Sequence, residues 1–194
     1  GLPIGKKGGF INLTLDGLSS GKTFRQALDT SDYYNNEDAM YINIYRRGHG
    51  DASLDMIGTA MNMEIPMKGK TSFYSFGTFN HKSSDAFAFT RNWSARPDRF
   101  PTDGSGNLIL VSSIMKTSSD GEIYYSPHIQ TKINDLSFAA GFKGNVKGWN
   151  WDLSNTLGRN NFHFYGDKTF NASKGANQTH FDDGGFNLLQ NTID

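Results

Sequence analysis

Arginine and aromatic side chains are concentrated in one short stretch of the sequence, residues 90–100. These 11 residues contain Arg91, Trp93, Arg96 and Arg99. Guanidinium groups beside aromatic rings bind anionic or aromatic ligands through charge-assisted hydrogen bonds and cation–π contacts. The four residues are therefore candidates for binding an anionic or aromatic ligand, or an iron chelate.

The same residues also have a purely structural interpretation. Arg96 or Arg99 is close enough in sequence to pair with Asp98 or Asp103, and the aromatic rings can brace a long loop. Both interpretations remain open from the sequence.

A second candidate stretch covers residues 41–51 and includes Arg46, Arg47 and His49. It is polar and rich in glycine, and Asp55 follows it, so it is suited to line a ligand vestibule. The alternative is a pair of short loop strands joined by a turn at residues 48–51.

Metal-binding patterns are weak. Residues 103–107 begin like a calcium loop, but Ile114 stands where the bidentate Glu belongs, so Asp103 is better interpreted as the start of a hairpin turn. His163 and residues 180–183 would bind a metal only if the fold brought them together. We predict no metal and no cofactor.

Composition excludes several classes of protein. The 19 basic residues balance the 19 acidic ones, which argues against nucleic-acid binding, and the absence of Cys excludes thiolate chemistry. No pair of acids and no Ser/His/Asp group is marked out by its setting, and Gly104-Ser105-Gly106 is not followed by the further glycine that a phosphate-binding loop requires. We therefore predict that the protein is not an enzyme.

Alternation of apolar and polar residues predicts an all-β fold with antiparallel up-and-down strands. It is clear in residues 11–16, 59–67, 136–146 and 149–157. Residues 71–80 are also typical of a strand, but aromatic residues occupy both of its faces, so its orientation stays open. In all, the sequence predicts about five strands.

The predicted connections alternate in length. Residues 68–70 and 147–148 are short turns, whereas about 30 residues separate Leu28 from Ile57 and more than 40 separate Thr90 from Asp135. Periplasmic turns and extracellular loops of outer-membrane barrels alternate in this way. Trp149 and Trp151 beside a short turn fit an interfacial aromatic girdle. We therefore favour a membrane barrel over a soluble sandwich.

Five stretches carry a family resemblance. GLPIGKKGGFINLTLD is similar to a periplasmic turn and the following strand of a TonB-dependent outer-membrane receptor of the Bacteroidetes type. TSFYSFGTFN resembles a later barrel strand, and AFAFTRNWSARPDRFPTDGSGNLI the long loop beyond it. SFAAGFKGNVKGWNWDLSNTLGRNNFHFYGDKTFNAS resembles the next hairpin, and HFDDGGFNLLQNT the loop after that.

The resemblance implies a location in the outer membrane of a Gram-negative bacterium. Such receptors have barrels of about 22 strands around a plug. It implies energised uptake of a scarce solute, which is a siderophore, haem, cobalamin or a glycan. This chain would supply barrel wall and ligand-facing loops, with outer-membrane lipid and the transported solute as its partners and no nucleic acid.

We expect residues 1–194 to form a single segment of such a barrel, without the plug domain. TonB would then act only through parts that this sequence does not contain. An arc of about five strands cannot close, so the isolated segment is expected to curl or to self-associate through its free edges.

The leading alternative is a soluble β-sandwich binding module, with a glycan as a possible ligand. In that hypothesis Trp93, Tyr124 and Tyr125 stack on sugar rings. A glycoside hydrolase is the weakest hypothesis, because it needs two carboxylates facing one cleft and no pair of acids is marked out by its setting.

Overall fold

A computed structural model describes residues 1–25, 48–118, 121–171 and 173–194, and in these ranges the protein is all-β. Its main sheet has seven strands in the order β1-β2-β3-β4-β8-β9-β10 and is not closed, and every neighbouring pair is antiparallel. Its strands are β1 (Leu2–Ile4), β2 (Gly9–Ser20), β3 (Ser53–Pro66), β4 (Thr71–Phe87), β8 (His128–Val146), β9 (Trp149–Asp167) and β10 (His180–Ile193). The predicted antiparallel up-and-down fold is confirmed. No helix in the described ranges is long and apolar enough to cross a membrane.

The alternating connection lengths are also confirmed. Residues 5–8, 67–70 and 147–148 form short turns at one end of the sheet, which we call the turn end. The links at the opposite end, the loop end, comprise residues 21–52, 88–127 and 168–179. The two turns predicted from sequence at residues 68–70 and 147–148 lie where expected.

Two predictions about strands need correction. The main sheet has seven strands rather than about five, and HFDDGGFNLLQNT forms β10 rather than a loop. The register shifts between Asp182 and Gly184, and Gly184 has a φ of 79°. This β-bulge interrupts the alternation of side chains, so the segment lacks the period by which a strand is recognised.

The link between β4 and β8 contains a small three-stranded sheet of its own, ordered β5-β7-β6. Its strands are β5 (Arg91–Asn92), β6 (Lys116–Thr117) and β7 (Ile123–Tyr125), and a 3-10 helix covers Pro97–Arg99. Phe100, Met115 and Tyr125 form its buried centre, against which Trp93 and Phe170 pack. We call this unit the loop subdomain.

Candidate functional site

The register of the main sheet assigns every side chain to one of two faces, because directly paired residues point to the same side. One row of paired residues contains Leu13, Met61, Phe138 and Leu157. We call the face that carries this row face A and the opposite face B. Gly77 belongs to the same row, where the ring of Phe138 lies beside it.

Face A is apolar over the half of the sheet nearest the turn end. We call this surface the apolar belt. Its members are Ile11, Leu13, Leu15, Met61, Met63, Ile65, Phe73, Phe79, Leu136, Phe138, Phe142, Val146, Trp149, Trp151, Leu153, Leu157, Leu189 and Ile193. Many of them are open to the surroundings, including Leu13 at 66%, Leu153 at 57% and Trp149 at 80% exposure. A surface of this size is unusual on a protein that is surrounded only by water.

The belt is as long as the membrane-spanning part of a barrel strand. Along β9 it runs over nine residues, from Trp149 to Leu157, and a tilted transmembrane β-strand needs about 9–11 residues. Outer-membrane barrels carry an outward apolar band of about 25 Å edged by aromatic girdles. Trp149 and Trp151 occupy the turn-end edge of the belt, which is where such a girdle would lie.

Face B is polar at the same level of the sheet. Lys143 Nζ donates to Glu64 at 2.8 Å, and the Tyr74 hydroxyl donates to Asp152 at 2.7 Å. Lys143 also lies over the Tyr74 ring. This wall of cross-strand polar contacts is what a water-filled lumen would require.

The orientation of residues 71–80, left open by the sequence, follows from the register. Phe73 and Phe79 lie on face A, and Phe73 packs against Phe142 with ring centroids 5.2 Å apart. Tyr74 and Phe76 lie on face B and stack on each other. The aromatic residues on both faces of β4 therefore serve two different surfaces.

The polarity of the two faces reverses towards the loop end. Here face B becomes apolar: Phe162 packs against Phe164 and Phe186 at centroid distances of 4.4 and 5.6 Å. Phe186 is 66% exposed. Face A becomes polar over the same rows, with His81 bonded to Asn134 at 2.7 Å.

A partly buried cluster of polar side chains joins the link after β2 to three strands, β4, β8 and β9, on face A, well beyond the belt. Lys22 Nζ and His128 Nδ1 each lie 2.8 Å from Asp85. Gln130 Nε2 links Asp85 at 3.4 Å to Asp167 at 3.3 Å. Lys22 belongs to the link after β2, so this group fixes the base of the first long loop to β4 and β8.

Charge and burial compete in this group. Burial alone would raise the pKa of Asp85, but the hydrogen bonds from Lys22 and His128 and the positive charge of Lys22 outweigh it and hold that pKa below its usual value. Burial lowers the pKa of His128, and the neighbouring Asp85 only partly opposes this. The geometry therefore favours a carboxylate held by lysine beside a neutral imidazole.

The sequence did not reveal this group, because its partners are distant along the chain and only the strand register brings them together. It also did not reveal how the other histidines pair. His163 Nε2 lies 2.5 Å from Asp182, and His180 Nδ1 lies 3.2 Å from Asp167. Across the described ranges, no three residues among His, Cys, Asp and Glu are grouped to hold a metal ion.

Two arginines of the loop subdomain, Arg96 and Arg99, share one carboxylate. Arg96 donates from Nε and Nη2 to the two oxygens of Asp98, both at 2.9 Å, and Arg99 Nε lies 3.2 Å from the same side chain. The hydrogen bonds from Arg96 hold the pKa of Asp98 below its usual value. This arrangement matches the structural interpretation of residues 90–100, in which arginine–aspartate pairs brace the loop. Ligand binding by Arg91, Arg96 and Arg99 stays a prediction.

Trp93 is part of the packing of the loop subdomain. Its ring meets Phe100 edge-on at 5.5 Å, and Phe100 meets Tyr125 in the same way at 4.9 Å. Phe100 and Tyr125 are only 1% and 2% exposed. The rings thus give the loop a core of its own.

Asp103 forms the hairpin turn that the sequence predicted. Its carboxylate accepts hydrogen bonds from the amides of Ser105 and Asn107 at 2.8 Å and from the Asn107 side chain at 3.0 Å. Thr102 and Leu108 form a β-bridge on either side of the turn. The resemblance to a calcium loop has no further support.

The second candidate stretch is only partly described. Arg46 and Arg47 lie outside the described residues. His49 is exposed, and its carbonyl accepts a hydrogen bond from the Arg25 amide at 2.8 Å, which extends the β2–β3 pairing into the link. Its proposed place in a ligand vestibule stays a prediction.

Comparison of the chain with protein-family models, with curated proteins and with solved structures finds no match.

Proposed function

We propose that this chain is a wall segment of an outer-membrane TonB-dependent receptor that takes up a scarce solute. In this proposal the apolar belt faces lipid, face B lines the lumen and the long links form the outer mouth. The observation that carries the proposal is the belt itself, an exposed apolar surface on face A that is as long as the membrane-spanning part of a barrel strand and has polar contacts behind it.

The reversal of the faces supports the same arrangement. A wall that rises above the membrane meets water on its outside, so face A becomes polar beyond the belt. Strand β9 has 19 residues, which span about 60 Å along the strand and about 45 Å along the membrane normal at a tilt of about 40°, more than the bilayer core of about 30 Å. The excess length lies on the loop side, where face B carries Phe162, Phe164 and Phe186.

The packing of the loop subdomain favours the receptor over the sandwich alternative. The sandwich hypothesis assigned sugar stacking to Trp93, Tyr124 and Tyr125, but Tyr125 is buried and Trp93 packs on Phe100. The transported solute in our proposal is a siderophore, haem, cobalamin or a glycan. Arg91, Arg96, Arg99 and His49 are its candidate contacts in the outer mouth.

Single-cysteine labelling tests the orientation of the wall, and the chain has no Cys of its own. In lipid vesicles, L153C on face A is expected to resist a water-soluble maleimide, whereas T156C on face B is expected to react. Equal labelling of the two positions in intact vesicles would contradict the proposal, and denaturation with detergent provides the control for reactivity.

Uptake is tested in cells that lack the whole reading frame containing this chain. We expect such cells to lose accumulation of one labelled solute among an iron–siderophore, haem, cobalamin and an oligosaccharide. Restoring the gene restores uptake, and collapsing the proton gradient abolishes it. Unchanged uptake of all four solutes would refute the transport part of the proposal.

A further inference from the structure

The short turns concentrate positive charge at one end of the sheet. Lys6 and Lys7 lie in the first turn, Lys68 and Lys70 in the second and Lys147 in the third. All five are exposed, and the three turns contain no acidic residue. We call these side chains the turn-end lysines.

The fold brings these lysines side by side. The turns join consecutive strand pairs of one sheet, so their centres lie about 10 Å apart. They are also in direct contact: Lys7 Nζ donates to the Met67 carbonyl at 3.5 Å, and the Asn145 amide donates to the Lys70 carbonyl at 3.2 Å. Five positive charges therefore form one row.

This row borders the apolar belt. Trp149 follows the third turn directly and is 80% exposed, and Met67 in the second turn is 47% exposed. Cationic side chains immediately outside an aromatic and apolar edge are placed at the level of lipid headgroups.

The backbone of the third turn adds an independent observation. Lys147 and Gly148 have φ values of 51° and 88°, as a two-residue type I′ turn requires. Asn is the residue that usually accepts the first of these positions, and lysine adopts it at a cost. The turn thus accepts strain at the position where it contributes a positive charge.

We propose that the turn-end lysines bind the phosphates of anionic phospholipids in the leaflet on the turn side. This inference rests on the proposed contact between the apolar belt and lipid. It specifies which lipid headgroups lie against the turn-end edge of the belt. Two acidic residues near the turns are already engaged on face B: Glu64 is paired with Lys143, and Asp152 accepts a hydrogen bond from the Tyr74 hydroxyl.

Co-sedimentation with vesicles tests the proposal. The whole protein that contains this chain, diluted from a neutral detergent, is mixed with vesicles of phosphatidylcholine alone or with roughly a third phosphatidylglycerol, at low and at physiological salt. We expect tighter binding to the anionic vesicles and a decrease with salt. Since each lysine near an anionic surface contributes about fivefold, K68Q/K70Q is expected to weaken anionic binding roughly 25-fold.

A matched control removes the same charge at the other end. Lys116 and Lys174 are exposed in the long links, so K116Q/K174Q is expected to bind as the unmodified chain does. Equal loss in both double variants, or no loss in K68Q/K70Q, would overturn the proposal. Strong binding to both vesicle types without a preference would overturn this inference but would agree with the proposed contact between the belt and lipid. Binding to neither would refute both.

Discussion

Leu136 and Arg159 pair directly across β8 and β9 on face A, and the apolar belt ends at this pair. Towards the turn end, the β9 positions of face A hold Leu157, Leu153 and the two tryptophans, apart from Asn155. Towards the loop end, the next position is Asn161 and the one after it is His163. On β9, this row thus separates an apolar part of face A from a polar part.

At the level of the middle of the belt, a charged side chain is expected to be destabilising on face A but not on face B. Leu153→Lys places an ammonium group in the bilayer core and should destabilise the inserted protein by about 2–4 kcal/mol. Thr156→Lys lies on face B near the same level and should cost less than about 1 kcal/mol. Unfolding in vesicles measures both, and equal costs would mean that face A does not meet lipid.

The loop subdomain is expected to depend on its aromatic centre and much less on its ion pairs. Phe100→Ala removes a ring that is 1% exposed and should cost about 3–5 kcal/mol of local stability. Asp98→Asn breaks exposed pairs with Arg96 and Arg99 and should cost less than about 1 kcal/mol. Amide exchange within residues 88–127 reports both effects, and the reverse ranking would refute this account of the loop.

Low pH is expected to destabilise the contacts of Lys22, Asp85 and His128 that hold the first long loop to β4 and β8. The folded pKa values of His128 and Asp85 are both lowered, so the unfolded state binds more protons in each window and stability rises with pH. The contribution of His128 is complete above its ordinary pKa of 6.5 and is lost as the pH falls through its lower folded value. That of Asp85 is complete above 3.8 and is lost below it.

Unfolding measured from pH 8 to pH 3 checks this dependence. In His128→Gln the decline just below pH 6.5 should disappear, while the decline in stronger acid should remain. A variant with the unmodified profile would show that His128 does not stay neutral at the loop base.

Replacing Lys147 by asparagine, but not by glutamine, is expected to stabilise the third turn. Lys147→Asn supplies the residue that a type I′ turn favours and should stabilise the hairpin by about 0.5–1 kcal/mol. Lys147→Gln keeps the strain and serves as the control. A loss of stability in the Asn variant would show that the φ of 51° at this position carries no cost.

Much of the fold could be predicted because alternation is a local property. Residues 136–146 and 149–157 alternate cleanly, and each lies within a strand. The strands continue further than predicted because the apolar positions change face: Leu136 and Phe138 lie on face A, whereas Ile133 lies on face B. A single period of two cannot describe both halves.

The site was less predictable, because it depends on register. Arg96 and Asp98 are two residues apart, and their pairing was foreseen as an alternative to ligand binding. Asp85 and His128 are 43 residues apart and meet only through the pairing of β4 with β8. Alternation shows which residues share a strand face, but it does not show which row of the neighbouring strand they meet.

Tryptophan fluorescence in vesicles of brominated lipid tests the lipid-facing belt most directly. The chain has three tryptophans, of which Trp149 and Trp151 lie in the belt and Trp93 lies in the loop subdomain. The account predicts strong quenching of the unmodified chain and little quenching of W149F/W151F, in which only Trp93 still emits. Equal fractional quenching of the two proteins, or none in either, would contradict the assignment of face A to lipid.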